Sequence, residues 1–388
     1  MRTLLLLAAA CLAGCTLPYR PPQFLEADAR FPGLIDFTAR APDRKADVLL
    51  VHGICTHDAA WAKATVGTLA AQLAANVTPV PQGQTQRLAG PAIEIVPIDV
   101  GTPHGRIRFT SLIWSPLTTP LKQQLCYDQT DKSPICTGAP PFTAVRAKLN
   151  AKVKDWLLDD CLPDALVYQG AARDQIQLRM REAILAATEE ADPTAPLVVI
   201  SESLGSKILF DTLLRMAEEP AASRAAQVAA REMRRAVWLV MAANQLPLLH
   251  LADQPLDEAA RAPSGAEAGT ATEKRTVMQA PSPDSLQRLL QKRRVPLANP
   301  LANPLAIPRA VPTLMLVAFS DPSDVLSYTL PPERYREAGA GVFNVLVSNA
   351  PTYFGLFQDP VRGHTEYLSN PDIGSLIACG RPRSALCR

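Results

Sequence analysis

The chain has 388 residues, 47% of them hydrophobic, and its 39 Lys and Arg nearly balance 37 Asp and Glu for a net charge of +2. Charges of both signs are interspersed, which excludes a broad basic nucleic-acid surface or a polyacidic tail as its organising feature. The length suits one large α/β domain with insertions or two domains, and 36 prolines predict long, stiff connections.

At the N-terminus, Arg2 precedes the apolar stretch Leu4–Ala10, which is too short to span a bilayer. Leu12-Ala13-Gly14-Cys15 follows as a small-residue cleavage site ending in cysteine. These residues resemble a bacterial lipobox, in which the leader is cut before the cysteine and the thiol carries a diacylglycerol; an ordinary secretory leader is the alternative. The resemblance implies a leader over 1–14, a lipidated Cys15 that anchors the chain to a membrane, and residence in the bacterial cell envelope. Thr16 in the next position, rather than aspartate, points to the outer membrane. Pro18, Pro21 and Pro22 predict an extended tether within residues 15–40, ahead of a main domain over 41–388.

Ala46–Val51 is an apolar run of the kind buried on both faces of a parallel sheet, and it leads into His52-Gly53-Ile54-Cys55. A helix is expected over Ala59–Ala75, then strands at Ile93–Val100 and Ile107–Trp114. The Pro-, Gln- and Thr-rich composition between Pro79 and Pro141 reads as an excursion from the core, an insertion over about 79–141. Phe142–Leu158 and Asp174–Glu190 have helical periodicity, and Asp164–Tyr168 reads as a short strand or turn.

Pro196–Asp211 (PLVVISESLGSKILFD) is the most informative segment. The β-branched run Val198-Val199-Ile200 stops at Ser201-Glu202-Ser203-Leu204-Gly205, and a helix over Leu204–Glu218 begins at once. A turn that sharp needs small residues two before and two after its apex, which Ser201 and Gly205 supply around Ser203. A capping serine in a plain β-to-α turn is the competing reading. Further on come a helix over Ala221–Arg235, a strand at Ala236–Met241, and a polar insertion over about 252–308 with a helix near Asp284–Lys292. The Leu297–Leu305 repeat reads as a Pro-punctuated linker. Strands at Thr313–Phe319 and Val342–Val347 complete the set, and Gly363-His364-Thr365 lies in a loop beyond them. Apolar strands alternating with helices predict an α/β fold: a mainly parallel central sheet with helices on both faces and long loop insertions.

Setting aside Cys11 and Cys15, the cysteines are Cys55, Cys126, Cys136, Cys161, Cys379 and Cys387. An even set in an exported chain predicts disulfides, with Cys126–Cys136 and Cys379–Cys387 closing short loops and Cys55 and Cys161 left over. Neither a C-x-x-C pair nor a neighbouring histidine supplies zinc spacing, so no metal is expected.

A serine hydroxyl becomes a competent nucleophile when a base takes its proton and a carboxylate holds that base. Ser203, an aspartate and His364 stand in that order, each beyond the carboxyl end of an expected strand. Asp324, followed by Val325-Leu326, is the preferred acid; Asp321, which opens an Asp-Pro turn, is the alternative. The backbone amides of Ile54 and Leu204 are the expected oxyanion donors.

Taken together, VLLVHGI, VVISESLGSK, LVAFSDPSD and GHTEYLSNPDI resemble the α/β-hydrolase superfamily, in particular its lipase- and esterase-like serine hydrolases. The likeness spans roughly 45–75, 160–245 and 310–380, with Ser201 in place of the usual glycine and Glu202 beside the nucleophile. The resemblance implies an acyl ester, small or lipid, as substrate, an acyl-enzyme on Ser203, and no cofactor, metal or nucleic acid. An acyltransferase using the same triad, or a non-catalytic binding protein of the same fold at the envelope, are the alternatives.

Overall fold

The computed structural model describes residues 15–73, 76–77, 86–87, 92–129, 133, 135–138, 146–189, 191–255, 282–294, 314–336 and 339–387. The expected leader, the Leu297–Leu305 repeat and residues 256–281 of the second expected insertion lie outside them. The strands that matter for the site are, in chain order, Cys15–Thr16 (β1), Gln23–Phe24 (β2), Lys45–Val51 (β3), Glu94–Thr102 (β4), Gly105–Ile113 (β5), Leu197–Glu202 (β6), Ala236–Ala242 (β7), Leu314–Ser320 (β8), Ala340–Leu346 (β9), Thr352–Tyr353 (β10) and Phe357–Gln358 (β11).

The main sheet runs β2-β9-β8-β7-β6-β3-β5-β4, with the short strands Asn76–Val77 and Gln86–Arg87 on the outer edge of β4. From β9 through to β5 all neighbours are parallel. The outer pairs β4–β5 and β2–β9 are antiparallel. The sheet is therefore mixed and mostly parallel, and the chain has the α/β architecture its patterning implies.

The helices that cover the sheet and frame the site are Leu34–Arg40 (α1), Ala59–Gln72 (α2), Lys148–Lys152 (α3) continuing as a π-helical stretch over Val153–Cys161, Leu162–Gln169 (α4), Arg173–Ala187 (α5), Leu204–Glu218 (α6), Arg224–Arg235 (α7), Ser285–Arg294 (α8), Pro360–Thr365 (α9) and Pro371–Cys379 (α10). Alternate residues of each strand point to opposite faces. Val199 and Leu239 join α5, α6, α7 and α8 in one buried cluster. Val198, Ile200 and Val240 join α1, α2 and α10 in the other. Both faces are covered, which is why the central strands are apolar over most of their length.

Three expectations are corrected. Residues 94–113, inside the expected first insertion, are core: β5 pairs with β3 from Lys45↔Arg106 to Val51↔Leu112. The β-branched residues of this hairpin outweigh Pro97, which is tolerated because only two-residue strands flank β4 on its outer side. Asp164–Tyr168 is neither strand nor turn but part of α4, where Pro163 occupies the first helical turn, a position that needs no amide hydrogen. His364 sits on the short helix α9, which Asp359 starts by accepting from the amides of Val361 and Arg362.

Disulfides join Cys126–Cys136, Cys379–Cys387 and Cys55–Cys161. The third ties the segment after β3 to the start of α4, closing the longest loop of the set. After β3 the chain lays β4 and β5 on one side and then returns to add β6 on the other. The segments leaving β3 and β6 thus diverge at their carboxyl ends, the place where open α/β sheets form ligand crevices.

Candidate active site

β6 ends at Glu202 and α6 begins at Leu204, so Ser203 makes the turn alone. Its backbone lies at φ 50° and ψ −128°, a region costly for a residue with a β-carbon. Ser203 occupies the N-cap position of α6, yet its hydroxyl makes no capping bond. Ser203 Oγ lies instead 3.1 Å from His364 Nε2. The competing reading of Ser203 as a cap therefore does not describe this residue. The turn is held by its own backbone: the Ser203 amide donates to Ala242 O at 2.8 Å, and the Ser206 amide to Ser203 O at 3.1 Å.

The small residues flanking the apex have separate reasons. A β-carbon on Gly205 would stand 2.1 Å from His52 O, so only glycine allows α6 to start against the end of β3. Ser201 is fully buried, and its hydroxyl accepts from Ser206 Oγ at 2.9 Å. A serine is tolerated at that position because the polar group it brings has a partner.

His364 is buried and reaches Asp324 through its other nitrogen: Nδ1 is 2.9 Å from Oδ2 and 3.0 Å from Oδ1. An Nδ1–H donated to Asp324 leaves Nε2 free to accept from Ser203. Asp324 is itself tied down, Oδ1 accepting from the Leu326 amide at 3.0 Å and Oδ2 from the Tyr367 hydroxyl at 3.0 Å. Burial, together with the adjacent Asp324 carboxylate, holds the Tyr367 phenol well above its ordinary pKa, so it remains a donor.

Asp321 takes another position. Its carboxylate accepts from the Asn349 amide at 2.7 Å, from Gln358 Nε2 at 2.9 Å and from the Ser323 amide at 2.9 Å. The last bond is the self-turn expected of an Asp-Pro opening. Burial nevertheless raises its pKa, with the neighbouring Asp324 charge as a lesser cause. Of the two aspartates beyond β8, Asp324 meets the histidine.

The segment leaving β3 comes directly against the apex, for a β-carbon on Gly53 would lie 2.8 Å from Ser203 Cβ. Ile54 follows Gly53 on that segment and Leu204 follows Ser203, so the two expected donor amides belong to the two backbone segments that meet here. Beyond Ile54, the amides of Cys55 and Thr56 donate to Asp164 Oδ2 at 2.8 Å and Asp160 Oδ2 at 3.2 Å. The Cys55–Cys161 disulfide pins the same segment covalently.

Lys122, Asp160 and Asp164 shape the site and carry no local signature in the sequence. Lys122, wholly buried, donates to Asp160 Oδ1 at 2.8 Å, to Asp164 Oδ2 at 3.2 Å and to Thr56 Oγ1 at 3.0 Å. Burial pushes Asp164 up to about 6, against the opposing Lys122 charge. His52 stacks between Trp114 and His57 and accepts from the Trp114 amide at Nε2, 2.9 Å away. Its Nδ1 donates to Gly53 O at 2.9 Å, which makes it a neutral structural ring, and burial drives its pKa well down. Glu202 is buried beside Ser203, and burial raises it to about 8, with Asp324 adding to the shift against a hydrogen bond from the Gly53 backbone. For Tyr367 a signal existed, its spacing three residues after His364.

Among the described residues no group of three or more His, Cys, Asp or Glu could hold a metal ion, and no helix is long and apolar enough to cross a membrane. No protein-family model matches the chain, and no curated protein matches it.

Proposed function

We propose that the chain is a serine hydrolase of the α/β-hydrolase type that cleaves acyl esters, held in the bacterial cell envelope by a lipid on Cys15. The observation that carries this reading is the pairing of a strained, non-capping Ser203 with His364 Nε2 at 3.1 Å. A capping serine needs neither the backbone strain nor the histidine.

In this reading Ser203 Oγ attacks the ester carbonyl as its proton passes to His364 Nε2. Asp324 holds the ring by Nδ1 and stabilises the imidazolium that forms. Tyr367 and the Leu326 amide keep Asp324 oriented, so that little reorganisation accompanies the proton transfer. The Ile54 and Leu204 amides would receive the oxyanion, a contribution that depends on the rigidity of both segments. The imidazolium then protonates the departing alkoxide. Water, deprotonated by the same histidine, releases the acyl group and regenerates Ser203. A buried carboxyl at Glu202 that stays largely neutral spares the site a second negative charge beside Asp324.

The test is labelling with a serine-directed fluorophosphonate. The wild-type chain is expected to label and Ser203→Ala to remain unlabelled with an unchanged thermal melt. Equal labelling of the two would sink the assignment.

A further inference from the structure

The second half of the site hangs from a small hairpin that the catalytic reading leaves unexplained. β10 and β11 pair through Tyr353↔Phe357, and the Leu356 amide donates to Tyr353 O at 3.0 Å across the turn. Phe354 and Gly355 have φ of 52° and 68°, the left-handed sign that primed hairpin turns require. Glycine suits that position; phenylalanine does not, and asparagine or aspartate would be the usual choice. Phe354 is 70% exposed and Leu356 89%, with Tyr353 and Phe357 about half exposed. Four large apolar side chains within five residues thus face water on a turn whose backbone one of them strains. Neither the core nor the turn accounts for them.

What stands beside them is Cys15. β1 adds to the hairpin as a third strand in the register Cys15↔Tyr353, and the Cys15 thiol is exposed and unbonded. A diacylglyceryl group on that sulfur would emerge one strand, about 5 Å, from Tyr353. The other end of the hairpin leads to the site. Gln358 bonds Asp321, Asp359 caps α9, and α9 carries His364.

We propose that Tyr353–Phe357, with the lipid on Cys15, is a bilayer-docking surface that turns the Ser203 end of the sheet toward the membrane, and that the substrate is an ester carried in that membrane. This rests on the lipid-anchored hydrolase reading above. A single acyl-type anchor holds a protein near a bilayer without orienting it; an apolar turn next to the anchor supplies the second contact and sets which face looks down. Aromatic and leucine side chains at such a tip suit the headgroup boundary.

The experiment uses the lipidated full chain in vesicles of phosphatidylethanolamine and phosphatidylglycerol. A fluorophore is placed at Leu356→Cys or, as a control at the amino-terminal edge of the sheet, at Arg224→Cys. The 356 probe is expected to be quenched by lipid-borne nitroxides and shielded from aqueous iodide, and the 224 probe to behave the opposite way. The double variant Phe354→Asn/Leu356→Asp, whose new residues suit the turn, is expected to cleave a vesicle-borne ester about tenfold more slowly or worse through KM. It should cleave a soluble short-chain ester at the wild-type rate. A 356 probe as open to iodide with vesicles as without, quenching between copies that needs no lipid, or an unchanged rate on the vesicle-borne ester would each overturn the proposal. Probe depth does not depend on Ser203, and fluorophosphonate labelling needs no vesicle, so failure of the docking surface and failure of the hydrolase reading give different results.

Discussion

The carbonyl oxygen of His52 rests on the α-carbon of Gly205, so closely that a β-carbon at position 205 would stand 2.1 Å away. The contact is backbone against backbone, and neither side can yield by changing a rotamer. It sets the distance between the segment leaving β3 and the start of α6. Gly205→Ala is therefore expected to destabilise the fold by at least about 3 kcal/mol and to remove fluorophosphonate labelling in whatever fraction remains folded. Thermal melts combined with labelling of the soluble fraction would show this; a well-folded, fully labelled variant would contradict it.

Asp324 and Asp321 stand three residues apart in one turn, yet only Asp324 touches His364. Asp324→Asn should lower kcat on a soluble ester by about 10⁴-fold with little change in KM, because the histidine loses both its tautomer and its counter-charge. Asp321→Asn leaves that contact in place and should cost far less in rate. A larger loss for Asp321→Asn would reverse the assignment of the two carboxylates.

Glu202 holds its proton more tightly folded than unfolded, its pKa raised from 4.5 to about 8 chiefly by burial. Below pH 4.5 both states are protonated and its contribution is fully present. As pH rises toward 8 the unfolded state ionises and the folded state does not, so stability falls across that window. With one pKa unit worth about 1.4 kcal/mol, the effect is large enough for a thermal melt to read. Glu202→Gln should remove this slope, melting closer to or above wild type at pH 8 than at pH 5. Parallel melting curves at both pH values would rule out the buried proton.

Lys122 neutralises two carboxylates from which it cannot be separated without leaving them buried and unpaired. Lys122→Met should cost about 3–5 kcal/mol, and the cost should ease when Asp160→Asn and Asp164→Asn are added. Because those aspartates hold the Cys55 and Thr56 amides, the single variant should also lose kcat more than KM. A Lys122→Met chain as stable as wild type would show that the cluster does not hold this segment.

The sequence by itself determined what short windows encode. The apolar runs at 46–51, 198–200, 236–241 and 314–319 are strands, and the helix from Leu204 to Glu218 has the bounds its pattern implies. Those features follow from side-chain periodicity and from the small residues a tight turn demands, both local properties. The strands at Ile93–Val100 and Ile107–Trp114 were legible too, but their Pro- and Thr-rich surroundings concealed that they belong to the core, since membership of a sheet depends on a partner strand far away in the chain. Pro163 and the shortness of α4 hid a helix that is secured by the Tyr168 hydroxyl donating to Asp211 at 2.8 Å. Only the tertiary structure decided that Asp324 meets His364, that Cys55 joins Cys161, that Lys122 answers Asp160 and Asp164, and that Cys15 lies beside Tyr353. Each of these joins residues whose closeness comes from packing, and packing is the one property that no stretch of sequence carries alone.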